Sequence, residues 1–446
     1  MKKKFTYIGL ILFFLLATAF VVVRYQTGLK NRAAAFYPIK ERKGVKAQTA
    51  EWKATKENSD KLIKTVRLKP DDKKSALALA SLYIQEGRNT GDHMYYDEAA
   101  LKYINNVLTL EPENFEALIL KSLVELSQHH FVEGLQTAEK AKKINPYNSY
   151  VYGLVVDGNV EMGNYPAAIE NLEKMISIRP DLRSYSRISY IREIHGEMTA
   201  AIAAMKMAVD AGFPGEEGTE WARVQLGHLY EKTGDIKSAE MHYTISLQQR
   251  PDYPYALAGM GNIAMAKKDY ANAIEQYKKA DALTADYSFK EKMAEVYLLT
   301  NQQAKAKEVL EAIREELSNA ASEEENGINH HTDRELAFIY LLENNSSKAL
   351  KHAMAEYNRR PENIEVAEMA AWAYFKNGEA QKALPFLQTA LKTGSKNPTL
   401  LSHAAMIYAQ AGDKAKAKMM LQEVVKTNPN IDPVLKKESQ SLLSKL

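Results

Sequence analysis

Residues 226–251, LGHLYEKTGDIKSAEMHYTISLQQRP, decide how this chain folds. Leu226, Leu229 and Tyr230 recur at helical spacing and form an apolar stripe. Gly234 then supplies the left-handed residue that ends a helix. Ala239, five positions on, is small enough for a second helix to lie close against the first, and Pro251 stops that second helix. The product is a helix–turn–helix unit that cannot cover its own apolar face and must stack on neighbours.

The same punctuation recurs in both directions. A permissive residue followed five positions later by Ala appears as Gly163/Ala168, Gly196/Ala201, Gly234/Ala239, Lys268/Ala273, Asn301/Ala306, Asn344/Ala349, Gly378/Ala383 and Gly412/Ala417. Successive alanines lie 33, 38, 34, 33, 43, 34 and 34 residues apart. Pro112, Pro146 and Pro180 keep a second clock at 34. Two unrelated markers with one period identify a repeat array rather than separate globular domains.

The run Leu226-Gly227, Tyr230, Gly234, Ala239, Tyr243, Leu247, Pro251 resembles the tetratricopeptide repeat (TPR) at every step, and Ala371, Tyr374, Gly378, Ala383 and Ala405, Tyr408, Gly412, Ala417 repeat much of it. The resemblance covers residues 75–430, about ten units, and is similar to membrane-anchored bacterial TPR proteins. It implies an all-α, right-handed superhelical solenoid that acts as a protein-interaction scaffold, with the first helix of each unit lining a concave groove. Arg192 stands where the family usually places Tyr, and Lys268 replaces a turn Gly. The first unit carries extra residues between Gly87 and Ala100, and the seventh is lengthened around Ser318 to His330.

Outside the array, residues 1–24 read as a membrane anchor or signal segment. Lys2-Lys3-Lys4 precedes an uncharged, mostly apolar run of 19 residues, Phe5 to Val23, long enough as a helix to span a bilayer. Ala17-Thr18-Ala19 has the small-x-small form of a cleavage site. The run continues apolar beyond it, which favours an uncleaved anchor with the body extracytoplasmic in the cell envelope; secretion after cleavage near Ala19 is the alternative. Residues 24–74 hold 15 Lys/Arg against 6 Asp/Glu, suiting a headgroup-facing segment better than a nucleic-acid surface. Residues 25–50 read as a basic tether, 51–74 as a packing helix and 431–446 as a closing cap.

The chain has no cysteine, hence no disulfide or thiolate chemistry. It shows no Gly-rich phosphate loop, no His-Glu-x-x-His and no Gly-x-Ser-x-Gly, so neither an enzyme nor a cofactor is expected. His129-His130 and His330-His331 are adjacent pairs, unlike helical metal ligands, and read as exposed loop histidines. Glu323-Glu324-Glu325 reads as a solvated run.

The sharper candidate is the inner face. Helical spacing gathers Tyr150 and Asp157; Arg183, Arg187 and Tyr190; Trp221, Gln225 and His228; and Tyr255 with Asn262 on one side of successive first helices. Aromatic and Arg residues carry binding energy at interfaces, and Arg forks suit carboxylates. The expected partner is therefore a protein or peptide with an acidic or C-terminal carboxylate, with no nucleic acid involved. The chaperone-binding carboxylate clamp of the family is not reproduced. A second candidate set, His331, Arg334, Phe338 and Trp372, lies in later repeats. The competing reading is a carrier or sensor that takes a small molecule or glycan in the aromatic groove.

Overall fold

A computed structural model describes residues 14, 17–24, 36–322 and 329–446. Among the described residues there is no strand, and no helix is long and apolar enough to cross a membrane. Most of the expected anchor, and Glu323 to Glu325, lie outside the described residues; residues 17–24 are helical.

The body is a row of ten helix pairs. The first five are Lys73–Thr90 with His93–Leu110, Phe115–Ser127 with Phe131–Ile144, Ser149–Glu161 with Tyr165–Ile178, Leu182–Ile194 with Met198–Asp210, and Glu217–Lys232 with Ile236–Gln249. The second five are Pro254–Ala266 with Tyr270–Leu283, Tyr287–Leu299 with Gln303–Ser322, Asp333–Leu342 with Ser346–Arg359, Ile364–Lys376 with Ala380–Ala390, and Pro398–Gln410 with Lys414–Thr427. The extra residues of the first unit lengthen its helices, with Gly91 as the left-handed turn.

The local chemistry follows the period. Every expected turn residue has positive φ, from Gly163 at 75° to Gly412 at 98°, and Lys268, Asn301 and Asn344 adopt the same conformation at 61°, 58° and 56°. All eight following alanines are buried to 1% or less. Asn148, Asp181, Asn363 and Asn397 cap first helices by accepting hydrogen bonds from backbone N–H groups, each worth about 1 kcal/mol. The apolar core is consequently a chain of adjoining clusters along the array. Its far end is covered by Pro433–Leu443, whose Leu442 and Leu443 pack on Ala405, Ala417 and Leu421.

Part of the span expected as a tether is docked instead. Tyr37 and Ile39 pack on the first cluster. Arg42, 5% exposed, meets Glu86 at 2.5 Å and Glu51 at 2.6 Å. A buried guanidinium needs such partners, so residues 36–48 form a cap on the first repeat, next to the helix Ala50–Leu68.

The array also closes on itself. The turn of each of the first four repeats rests on the entry loop of the repeat six places later, and that of the fifth on the loop before the closing helix. Ala285 N donates to Thr90 O at 2.9 Å, and His331 N donates to Gln128 O at 3.3 Å. Ile364 N donates to Tyr165 Oη at 3.0 Å, Thr393 Oγ1 to Ile194 O at 2.5 Å, and Asn430 Nδ2 to Glu231 Oε2 at 3.0 Å, the last three each across 199 residues. Arg360, only 4% exposed, is ion-paired to Glu356 and reaches Glu161 of the third repeat. Successive superhelical turns are therefore in contact, unlike a solenoid in which each repeat meets only its neighbours.

Candidate functional site: the interior of the superhelix

First helices from distant repeats converge on one interior. Glu365 of the ninth repeat accepts from Tyr190 Oη of the fourth at 3.2 Å and from Arg334 of the eighth at 2.9 Å. Its side chain keeps 44% of its surface exposed. Burial nevertheless acts most strongly on its acidity, and the charges of Arg334 and Lys232 outweigh that burial to hold the carboxyl below the usual range. Glu161 and Glu291 respond oppositely, held above the usual range by burial that Arg360 and Lys292 offset only in part.

Each residue of the expected groove has a definite place. Asp157 binds Arg187 through two hydrogen bonds, Nε to Oδ1 at 2.8 Å and Nη2 to Oδ2 at 2.5 Å. The guanidinium lies over Gly153, where a Cβ would come within 3.2 Å of its Cζ. Arg187 is thus already engaged, so an incoming carboxylate would have to displace Asp157. Arg183 lies 4.9 Å from the Tyr150 ring and is exposed.

Three of the ten are engaged within or between repeats. His228 Nδ1 sits 2.8 Å from Tyr243 Oη, and Asn262 accepts from Tyr277 Oη at 2.8 Å and donates to Glu231 at 3.3 Å. Tyr255 packs edge-on to Tyr253, with Phe289 5.7 Å away. That leaves Arg183 and Trp221 exposed and Gln225 half-buried, with Tyr190 bonded to Glu365; Tyr190 and Trp221 are each 36% exposed. In the later set, Arg334 is paired to Glu365. Trp372 stacks on His403 at 3.7 Å and on Phe375 at 4.9 Å, and Phe338 is half-buried.

The histidine pairs are not exposed. The turn of the second repeat and the entry of the eighth bring them face to face, His129 with His330 at 4.3 Å between ring centroids and His130 with His331 at 4.0 Å. Burial lowers His129 to about 4 and His330 to about 3, and also lowers His331. The only trace in the sequence is that two His-His pairs stand six repeats apart.

Family models described as tetratricopeptide repeat match residues 224–288 and 374–445. No curated protein matches the sequence. Among solved structures, a thermophilic TPR protein of Thermus thermophilus is 20% identical with a TM-score of 0.38, over 44% of this chain and 99% of that one. The human IFIT1 dimer with PPP-AAAA is 14% identical with a TM-score of 0.48, over 75% of this chain and 77% of that one. YrrB, a TPR protein with an unusual peptide-binding site, is 17% identical with a TM-score of 0.28, over 42% of this chain and 94% of that one. The two repeat matches, together with the helix-pair architecture, support the TPR family for this chain, a family whose members are generally protein-interaction scaffolds.

Proposed function

We propose that this chain is a protein-interaction scaffold whose interior face receives a segment of a partner protein, and that its N-terminal apolar run holds it at a cell-envelope membrane. The observation that carries the first part is the pair Tyr190 and Trp221. Both are large aromatics on the inner side of first helices, and both remain 36% exposed among charges that are mostly paired. Exposed aromatics next to Arg183 and Gln225 suit an interface better than a solvated wall. An acidic group on the partner would meet Arg183 first, since Arg187 is held by Asp157. The membrane reading is supported by the 19-residue run Phe5 to Val23 and by Phe20, Val21 and Val23, each more than 60% exposed.

The test is crosslinking of the full chain in cells, comparing the parent with a Trp221→Ala, Arg183→Ala variant. Partner capture should fall by about two decades, roughly 3 kcal/mol, with helical content unchanged by circular dichroism. Undiminished capture would remove the interior face from the reading. Release of the full chain from membranes by carbonate would remove the anchor.

A further inference from the structure

We propose that His129, His330 and Glu335 form a binding site for one Zn2+ ion that joins the second repeat to the eighth. Each residue offers one ligand atom, and these atoms lie within 4.8 Å of one another. Two imidazoles and a carboxylate are a donor set that suits zinc rather than calcium or magnesium, which prefer oxygen alone. Ligand atoms around tetrahedral zinc lie about 3.3 Å apart, so the side chains need to draw in by only about 1.5 Å.

Two features of the surroundings point to a ligand. The Glu335 side chain is 5% exposed, and its buried Oε2 has no hydrogen-bond partner. A carboxylate oxygen buried without a partner is costly, and a cation at this point would satisfy it. The rings are also oriented as metal-binding histidines are. His129 Nδ1 is 3.1 Å from His331 O, and His330 Nδ1 is 3.1 Å from Gln128 Oε1. Gln128 is fixed in turn by donating Nε2 to Asp97. An imidazole that donates through one nitrogen keeps the lone pair on the other for a metal.

The site exists only where two superhelical turns meet, so an ion there fastens one turn to the next. The test uses the full chain, prepared without a histidine tag and stripped with chelator. Zn2+ titrated calorimetrically at pH 7 should bind at one per chain, and Co2+ should give visible d–d absorption. His330→Ala and Glu335→Gln should each weaken binding about tenfold or more, while His195→Ala, a histidine outside the cluster, should match the parent. Zn2+ should raise the unfolding temperature of the parent and not of His330→Ala. Absence of stoichiometric binding overturns the proposal, as does equal binding by all variants. Glu335→Gln keeps the side-chain shape and decides the question if His330→Ala misfolds. No readout here depends on a partner protein, so failure of this site and failure of the interior interface are separable.

Discussion

The turns of the third and ninth repeats have the same local structure and different surroundings. Gly163 and Gly378 are both left-handed, at φ 75° and 83°, and each is followed five residues on by a fully buried Ala. Around Gly378 an added Cβ would meet nothing within 4 Å, whereas at Gly163 it would come within 2.1 Å of Glu362 O. Gly196 and Gly234 are pressed in the same way, against Gly394 O and Thr427 O at 2.5 Å. The difference is whether a superhelical turn rests on the position. One residue type therefore meets two separate demands, a backbone conformation everywhere and a close approach only in the early repeats. Lys268, Asn301 and Asn344 meet the first demand alone.

The largest effect should come from testing that contrast directly. Gly163→Ala combines a left-handed Ala with a backbone clash and should cost about 3 kcal/mol, against about 1 kcal/mol for Gly378→Ala. Hydrogen exchange at Asn363 and Ile364 should speed up in the first variant only. Equal responses would mean that the turns do not bear on each other in solution.

A smaller effect should follow acid. Burial works to raise the Glu231 carboxyl, but hydrogen bonds from His228, Tyr243 and Asn262 outweigh it and hold the group below 4.5. A depressed carboxyl contributes stability above its unfolded value and loses it as pH falls through the folded one. Glu231 also accepts from Asn430 in the next superhelical turn. Glu231→Gln should therefore cost about 1–3 kcal/mol at pH 7, and the gap to the parent should narrow as pH falls below 4.5. A gap independent of pH would remove the charge from this account; thermal unfolding across the pH range measures it.

The smallest effect is a gain. Lys268 is exposed and left-handed with no turn above it. Lys268→Gly removes the steric penalty and adds unfolded-state entropy, leaving a net gain of up to about 1 kcal/mol. A loss of stability would show that this turn is not equivalent to Gly378.

The repeat was legible because its signals are local: a turn residue, an Ala five positions on and a spaced Pro lie within one unit. The second repeat left no such mark, since His129 stands at its left-handed turn and Gly134 replaces the Ala, packed so close to Leu126 that a Cβ would lie 2.8 Å away. Helical spacing put Tyr190 and Trp221 on one face of their helices, and each is 36% exposed. It could not show that Arg187 is neutralised by Asp157, that His228 is spent on Tyr243 of its own repeat, or that Asn262 is bound to Glu231 of the preceding one. Contacts across 199 residues have no local signature. The docking of residues 36–48 was hidden likewise, because a basic segment reads as solvated until Glu86 is placed beneath Arg42.

The contact between turns gives the molecule a mechanical character. An open coil pulled at its ends lengthens smoothly, because nothing holds one turn to the next. This coil is close-wound, fastened near Thr90, Gln128, Glu161, Ile194 and Glu231. Tension along the axis must part those fastenings before the coil can stretch, so extension should begin with a threshold force rather than a linear response.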